Sequence, residues 1–336
     1  GAGLLLCKAC LAKRQSVVTS NKELVATKGG GAAGHRQREQ PELPLRGQRR
    51  RRRAHHPAHQ PVPGANEVGE IAGTFERHHQ LILTKMIRDH MAFDEALKLA
   101  QQLGYAEREP LRRCGGADAC RKICILASLA YGTHVYPSQV HTEGITKITL
   151  EDVAYAEAWG GVIKLIGQVK MLENGQVHIG VCPMFVSRES QLAGVDDVFN
   201  GILVRGDATG DVVFYGKGAG KLPTASAVVA DVIDCVKHFA ERKYLYWEDA
   251  KPDYVAPFDA MPTDVFVHVK GKNSDSVFDM AETLFPGAVR LIRKGEREGD
   301  GRLCGQPDLR HRAGGEALRL EAVGIKVLGS IRISDY

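Results

Sequence analysis

The chain has 336 residues, 43% hydrophobic and 25% charged, which is typical of a folded protein with about two or three domains. No apolar run is long enough to cross a bilayer and no segment resembles a signal peptide, so we expect a cytoplasmic protein. The formal net charge of +5 comes largely from Arg46–Arg53. The eight cysteines lack the spacing of a metal site, which predicts reduced thiols and no metal site.

The first residues predict one strand–helix step of a doubly wound sheet. Ser16–Lys22 is interpreted as a short buried strand that ends in a polar turn, and Glu23–Lys28 as the start of a helix. Ligands of such sheets lie at the carboxyl ends of the strands, where Lys22 stands, and the alternative is a solvated lysine in a loop. Gly29–Gly34 matches G-x-G-x-x-G but follows a helix rather than a strand, so we regard it as a chance match.

A group of charged residues in the middle of the chain is a candidate for a reactive site. Asp118 and Lys122 are four residues apart at the head of an apolar run, and share one face if that run is a helix. Glu107 comes just after the preceding predicted helix. Two carboxylates can hold a substrate ammonium, and a half-buried lysine can supply a proton to a reacting oxygen. The alternative is an ordinary surface ion pair.

The middle of the chain predicts an α+β domain with helices on one face of a mixed sheet. Its predicted helices are Leu81–Met91, Asp94–Leu103 (Asp94 as N-cap, Gly104 at the end) and Leu150–Trp159, capped by Thr149. Its predicted strands are Val162–Leu172 and Gln176–Phe185, joined at Asn174–Gly175, and the pair Val198–Arg205 and Asp211–Tyr215. Gly216, Gly218 and Gly220 then precede a helix at Thr224–Phe239, where bare backbone allows close approach of a cofactor.

Several long motifs resemble homoserine dehydrogenase. The resemblance runs from about Ala65 to Pro262, with a further piece at Ser16–Gly29, and its motifs are Leu81–Met86, Phe93–Leu97, Gly104–Glu107, Thr142–Ile148 and Tyr215–Ser226. The resemblance implies reversible hydride transfer between NAD or NADP and L-aspartate 4-semialdehyde, giving L-homoserine on the route to threonine and methionine. It also implies a homodimer, with no nucleic-acid or membrane partner.

The resemblance assigns roles to individual residues. Glu107 and Asp118 would hold the amino group of the substrate, and Lys122 would be the proton donor. Lys22 would lie near both the substrate and the nicotinamide, and Gly220, together with Gly218, would contact the cofactor. The family often carries a structural monovalent cation near a Glu-Ala-x-Val-Gly turn. That turn is not present as written, so its cation site is not intact here.

The predicted fold class is α/β plus α+β. Residues 1–64 would be the remnant of an incomplete Rossmann-type nucleotide domain, and 65–215 the substrate-binding and dimerisation domain. Residues 216–250 would return to pack on the nucleotide domain. Residues 262–336 would form a degraded ACT-like module, with strands at Val265–Val269, Ile325–Leu328 and Ile331–Ile333 and a helix at Ser276–Leu284. Regulation of this module by an end-product amino acid is expected only by analogy with ACT modules.

Four segments depart from the family pattern: 31–64, 74–80, 110–115 and 295–316. If compatible codons are chosen, a one-base shift of the reading frame converts part of the arginine run to Glu-Ala-Ser-Val-Gly. The same shift converts Glu76–Gln80 to a segment that begins Asn-Gly-Thr-Thr. We therefore interpret the four segments as local slips of the reading frame. Arg113 stands where the family has an acidic residue. Because the glycine-rich start of a Rossmann unit is also not found, we expect the chain as written to be inactive and to lack saturable NAD(P)H binding.

Two other interpretations remain open. A non-catalytic dimerising protein would retain the substrate domain without a nucleotide site. A nucleic-acid binder would use residues 31–64 as a disordered basic arm, although that arm has no aromatic residues interleaved for base stacking.

Overall fold

The computed structural model describes residues 2–13, 15–29, 66–104, 115–217, 220–237, 248–270, 274–285, 288–292, 300–305, 325–334 and 336. Its helices are α1 Ala2–Ala12, α2 at 22–29, α3 Arg77–Arg88, α4 Phe93–Gln102, α5 Ala117–Tyr131, α6 Leu150–Trp159, α7 Lys221–Lys237 and α8 Ser274–Leu284. Its strands are β1 Val68–Thr74, β2 Thr133–His134, β3 His141–Thr142, β4 Gly161–Met171, β5 Val177–Ser187, β6 Phe199–Gly206, β7 Gly210–Lys217, β8 Glu248–Asp249, β9 Val265–Lys270, β10 Ala288–Arg290, β11 Asp300–Gly305 and β12 Lys326–Ile333.

One mixed sheet organises the described part of the chain. Its strand order is β10-β11-β9-β12-β5-β4-β1-β6-β7, with β3 also paired to β5, while β2 and β8 form a separate parallel pair. The centre is the antiparallel β4–β5 hairpin, which pairs from Gly161 opposite Ser187 to Met171 opposite Val177. Gly175 in its turn has a φ of +80°, the left-handed conformation that a hairpin turn favours and glycine adopts without strain.

The main hydrophobic core forms where α3, α5 and α6 pack on this sheet. Its fully buried side chains include Ile82 and Met86 of α3, Ile123 of α5, Tyr155 of α6 and Ile163 of β4. Three helices that each bury an apolar stripe against a sheet form the two-layer arrangement expected of an α+β domain. The predicted mixed sheet with packed helices is therefore confirmed.

Most of the predicted elements are present, with some corrections. Ser16–Lys22 is not a strand, since the described residues give it no pairing partner, and Lys22 already belongs to α2. Helix α3 covers Arg77–Arg88 rather than Leu81–Met91, and α7 begins at Lys221 instead of Thr224.

The helix-capping residues predicted from the sequence are partly correct for α4 and correct for α6. The residue preceding α4 is Ala92, not Asp94, and it makes no side-chain cap. Gly104 follows the end of α4 with a φ of +73°, as predicted. Thr149 accepts a hydrogen bond from the Asp152 amide and the Asp152 carboxylate accepts one from the Thr149 amide, so the predicted cap of α6 is confirmed as a capping box.

The C-terminal strands continue the same sheet. Residues predicted as two short strands, Ile325–Leu328 and Ile331–Ile333, form the one strand β12, which is antiparallel to β9 and parallel to β5. A register irregularity between Val327 and Gly329 explains the break in the sequence pattern. Within the segments given above, no helix is long and apolar enough to span a membrane.

Candidate functional site

Helix α5 places Asp118 and Lys122 together, as their spacing predicted. Asp118 lies in its first turn, and the Lys122 Nζ is 3.2 Å from the Asp118 Oδ2. Gly116, the N-cap residue, has a φ of +79°, and a Cβ there would lie 3.1 Å from the Glu143 carbonyl oxygen. A side chain at Gly116 would therefore strain the start of the helix that positions both groups.

Helix α2 brings Lys22 to the same carboxylate. The Asn21 side chain accepts a hydrogen bond from the Leu24 amide at 3.1 Å, which caps α2 and fixes the position of Lys22 at its start. The Lys22 Nζ then lies 2.8 Å from the Asp118 Oδ1. The structure thus brings together Lys22, Asp118 and Lys122, three of the residues predicted for the site.

A backbone carbonyl completes the surroundings of Lys122. The Lys122 ammonium donates a hydrogen bond to the carbonyl oxygen of Phe75, the residue that follows the carboxyl end of β1. The Asn200 side-chain amide also donates to this carbonyl, at 3.4 Å. An ammonium has three N–H donors, so Asp118 and Phe75 leave Lys122 capacity for a bond to a substrate oxygen.

The charge balance of the site favours a developing negative charge. Burial alone would raise the pKa of the Asp118 carboxyl, but the charge of Lys122 and the hydrogen bond and charge of Lys22 outweigh burial and hold this pKa below its ordinary value. Asp118 is therefore ionised at neutral pH and neutralises one of the two lysines. The remaining positive charge suits an alkoxide oxygen, which forms when an alcohol loses its proton.

A cleft of about 470 Å³ opens beside Lys122. Its wall combines apolar side chains of α5 and β7 with Phe75, Asn200 and Lys217. Sequence reasoning did not identify Phe75 or Asn200. A backbone carbonyl has no sequence signature, and nothing in the sequence of β6 distinguishes Asn200 from a polar residue on the exposed face of a strand.

Two predicted site residues, Glu107 and Gly218, lie outside the described residues, as does Arg113. Gly220 is described. It has a φ of +134°, accepts a hydrogen bond from the Thr224 amide at 3.1 Å, and directly precedes α7. This backbone lies at the start of a helix, close in sequence to the cleft residue Lys217, and without a side chain it allows close approach of a ligand.

Comparison with known proteins identifies relatives over the same region. The family model described as homoserine dehydrogenase matches residues 58–233, just over half of the chain. A homoserine dehydrogenase of Synechocystis sp. is 44% identical over 176 residues, covering 52% of this chain and 41% of the relative. That of Pseudomonas aeruginosa is 33% identical over 248 residues, covering 70% of this chain and 57% of the relative. The chain thus spans about half the length of these curated relatives.

A solved structure shares the fold. A homoserine dehydrogenase from Thiobacillus denitrificans superposes with a TM-score of 0.80 at 28% identity, covering 99% of this chain and 79% of that one. The family match includes β1, the Asp118–Lys122 helix and the cleft strands, so it covers the described elements that build the site apart from α2. This chain belongs to the homoserine dehydrogenase family.

Proposed function

We propose that the chain is the substrate-handling part of an NAD- or NADP-dependent homoserine dehydrogenase, which interconverts L-homoserine and L-aspartate 4-semialdehyde. The observation that supports this most directly is the position of Lys122. Its ammonium is held by Asp118 and the Phe75 carbonyl at the wall of an open cleft, with one N–H left for a substrate. An ordinary surface ion pair has no such backbone support and no adjoining cleft.

In the proposed mechanism, Lys122 exchanges a proton with the reacting oxygen. In the direction of homoserine formation, the Lys122 ammonium donates its proton to the aldehyde oxygen as the carbonyl is reduced, and in the reverse direction the lysine takes the hydroxyl proton. Lys22, through its position beside Asp118, adds positive charge that stabilises the intermediate alkoxide.

Two carboxylates hold the amino group of the substrate in this proposal. Asp118 supplies one of them, and Glu107 supplies the other from a segment outside the described residues. Because Lys22 and Lys122 already contact Asp118, the second carboxylate is needed to balance a substrate ammonium in the same space. The same proposal keeps Lys122, rather than a metal, as the acid at the oxygen.

The cofactor site is proposed at the end of β7 and the start of α7. Gly218 and Gly220 would allow close approach of the dinucleotide, and Lys22 would lie near its nicotinamide. When bound, the nicotinamide supplies or accepts the hydride of the reaction. The structural monovalent cation implied by the family has no role in this mechanism, because the chain as written lacks its turn.

Helix α7 supports the proposed division into domains. None of its described residues is buried, and Leu222 and Val236 are 82% and 70% exposed. An apolar helix that follows the substrate domain is what the proposed return segment 216–250 requires, since a nucleotide domain would cover it. The nucleotide domain at 1–64, the regulatory role of 262–336, the homodimer and the cytoplasmic location stay predictions.

The proposal is tested with a fusion in which the N-terminal part of the Pseudomonas aeruginosa relative precedes Ser16 and the same relative supplies segments 31–64, 74–80 and 110–115. We expect homoserine to reduce NADP⁺ or NAD⁺ in its presence, measured by nicotinamide absorbance. Asp118→Asn should raise KM by about 10- to 100-fold, because it removes a charged partner of a buried ammonium. The matched control is Asp89→Asn, which breaks another i,i+4 lysine–aspartate pair, on α3.

Two results would contradict the proposal. One is a folded fusion that binds NADPH but does not oxidise homoserine, which would favour a non-catalytic dimerising protein. The other is an equal KM for the Asp118→Asn and Asp89→Asn proteins.

A further inference from the structure

Three potential metal ligands meet where β1 passes into α3. Glu76, His78 and His79 each offer one ligand atom, and these atoms all lie within 4.8 Å of one another. The Glu76 Oε2 is 2.5 Å from the His79 Nδ1, and the Glu76 Oε1 is 3.8 Å from the His78 Nε2. The first turn of α3 produces this grouping, because residues three positions apart on a helix, here Glu76 and His79, lie on the same face.

The cluster is buried, and its carboxylate has no hydrogen bond. Glu76 is 4% exposed and His79 is fully buried. Glu76 occupies the N-cap position of α3, but its side chain makes no cap. Neither Glu76 oxygen has a hydrogen bond among the described residues, and the short contact with His79 does not have hydrogen-bond geometry. A buried carboxylate without a hydrogen bond is unfavourable unless a positive charge lies beside it, either a protonated imidazole or a metal ion held by neutral imidazoles.

The donor set identifies the kind of cation. One carboxylate oxygen and two imidazole nitrogens suit Zn²⁺ and similar first-row divalent ions, whereas Mg²⁺ and Ca²⁺ prefer oxygen ligands throughout. Three protein ligands leave a fourth position for water. The His78 side chain is 11% exposed, which gives an ion a route to the site.

We propose that Glu76, His78 and His79 form a binding site for a divalent transition-metal ion of the Zn²⁺ class. The site is distinct from the lysine–aspartate cluster, although the neighbouring Phe75 carbonyl contacts Lys122. The site is proposed for the chain as written: its residues lie in segment 74–80, where the resemblance to the family implies Asn-Gly-Thr-Thr instead. The expectation of no metal site came only from the spacing of cysteines and histidines. This site could not be identified from the sequence, because the turn from β1 into α3 is what brings Glu76 close to the two histidines.

The test is Co²⁺ binding to the full 336-residue chain after treatment with a chelator. We expect one equivalent to bind with visible ligand-field bands and no thiolate charge-transfer band, and Zn²⁺ to displace it. The absence of that band separates this site from the cysteines, including Cys120 and Cys124.

Two variants and one control make the result specific. Glu76→Gln and His79→Asn should each lower Co²⁺ affinity by about 100-fold or more, beyond the loss typical of outer-shell changes. His141→Asn is the control, because His141 also lies 2.5 Å from a carboxylate, that of Glu143, but on the surface. If a variant is unstable, the Zn²⁺-induced rise in Tm should occur in the unchanged chain and in His141→Asn but not in the variant.

Three results would overturn the proposal. They are the absence of stoichiometric Co²⁺ binding by the unchanged chain, a thiolate band that accounts for the bound metal, and unaltered affinity in both Glu76→Gln and His79→Asn.

Discussion

Asp118 links two lysines that lie 100 residues apart in the sequence. Its pairing with Lys122 was predictable, because a four-residue spacing on a helix puts side chains on one face. Its pairing with Lys22 was predictable only through the resemblance, since it depends on how α2 packs against α5. The Phe75 carbonyl was not predictable, because every residue has a carbonyl and the path of the chain decides which one meets Lys122.

The lowered pKa of Asp118 predicts a pH-dependent contribution to stability. A carboxyl whose pKa is lower in the folded state stabilises the fold above its unfolded pKa, about 3.9, and loses this contribution as the pH falls through the folded value. We therefore expect Asp118→Asn to lower Tm at pH 7, with a difference from the unchanged chain that shrinks below about pH 4. Thermal unfolding followed by circular dichroism over a pH series measures this difference.

Asp89→Asn is the control for this measurement, because the Lys85–Asp89 pair is more exposed and surface pairs contribute little. A Tm difference for Asp118→Asn that stays constant from pH 7 to pH 3 would show that the ion pairs do not produce it.

At the scale of elements, local signals predicted some structure well. The capping box at Thr149 and the Asn174–Gly175 turn were identified because each depends on residues close in sequence. The start of α3 was missed for the opposite reason. His78, His79 and Gln80 are polar but buried, so tertiary packing overrides the pattern that suggested a helix only from Leu81.

Strand β1 offers a test of close packing between strands. A Cβ at Gly73 would lie 2.6 Å from the Gly201 carbonyl oxygen on β6, whereas one at Gly69 would meet its nearest atom at 3.8 Å. We expect Gly73→Ala to destabilise the protein by about 1–3 kcal/mol, because backbone must shift to accept the methyl group. Gly69→Ala, on the same strand, should be neutral or slightly stabilising. Urea unfolding of both variants measures this, and equal stabilities would contradict the packing described here.

At the scale of the whole molecule, one sheet joins the substrate region to the C-terminal strands through the β12–β5 pairing. Its strand order was not predictable from hydrophobic patterns, which show that a segment is a strand but not which distant strand it pairs with. The cleft lies on the other side of β1, where α5 approaches β6 and β7. The fold therefore places the lysine–aspartate cluster beside the strand that leads into Gly220 and α7.

The central claim is that Lys122 transfers the proton at the reacting oxygen. Its most direct test is the kcat of homoserine oxidation by the fusion described above, compared between the unchanged protein, Lys122→Ala and the control Lys85→Ala. We expect Lys122→Ala to lower kcat by about 100-fold or more, as loss of a general acid–base group does, with an unchanged circular dichroism spectrum. Lys85→Ala should retain normal turnover, since its pair with Asp89 lies on α3 and Lys85 does not line the cleft. Near-normal turnover by Lys122→Ala at neutral pH would contradict the account.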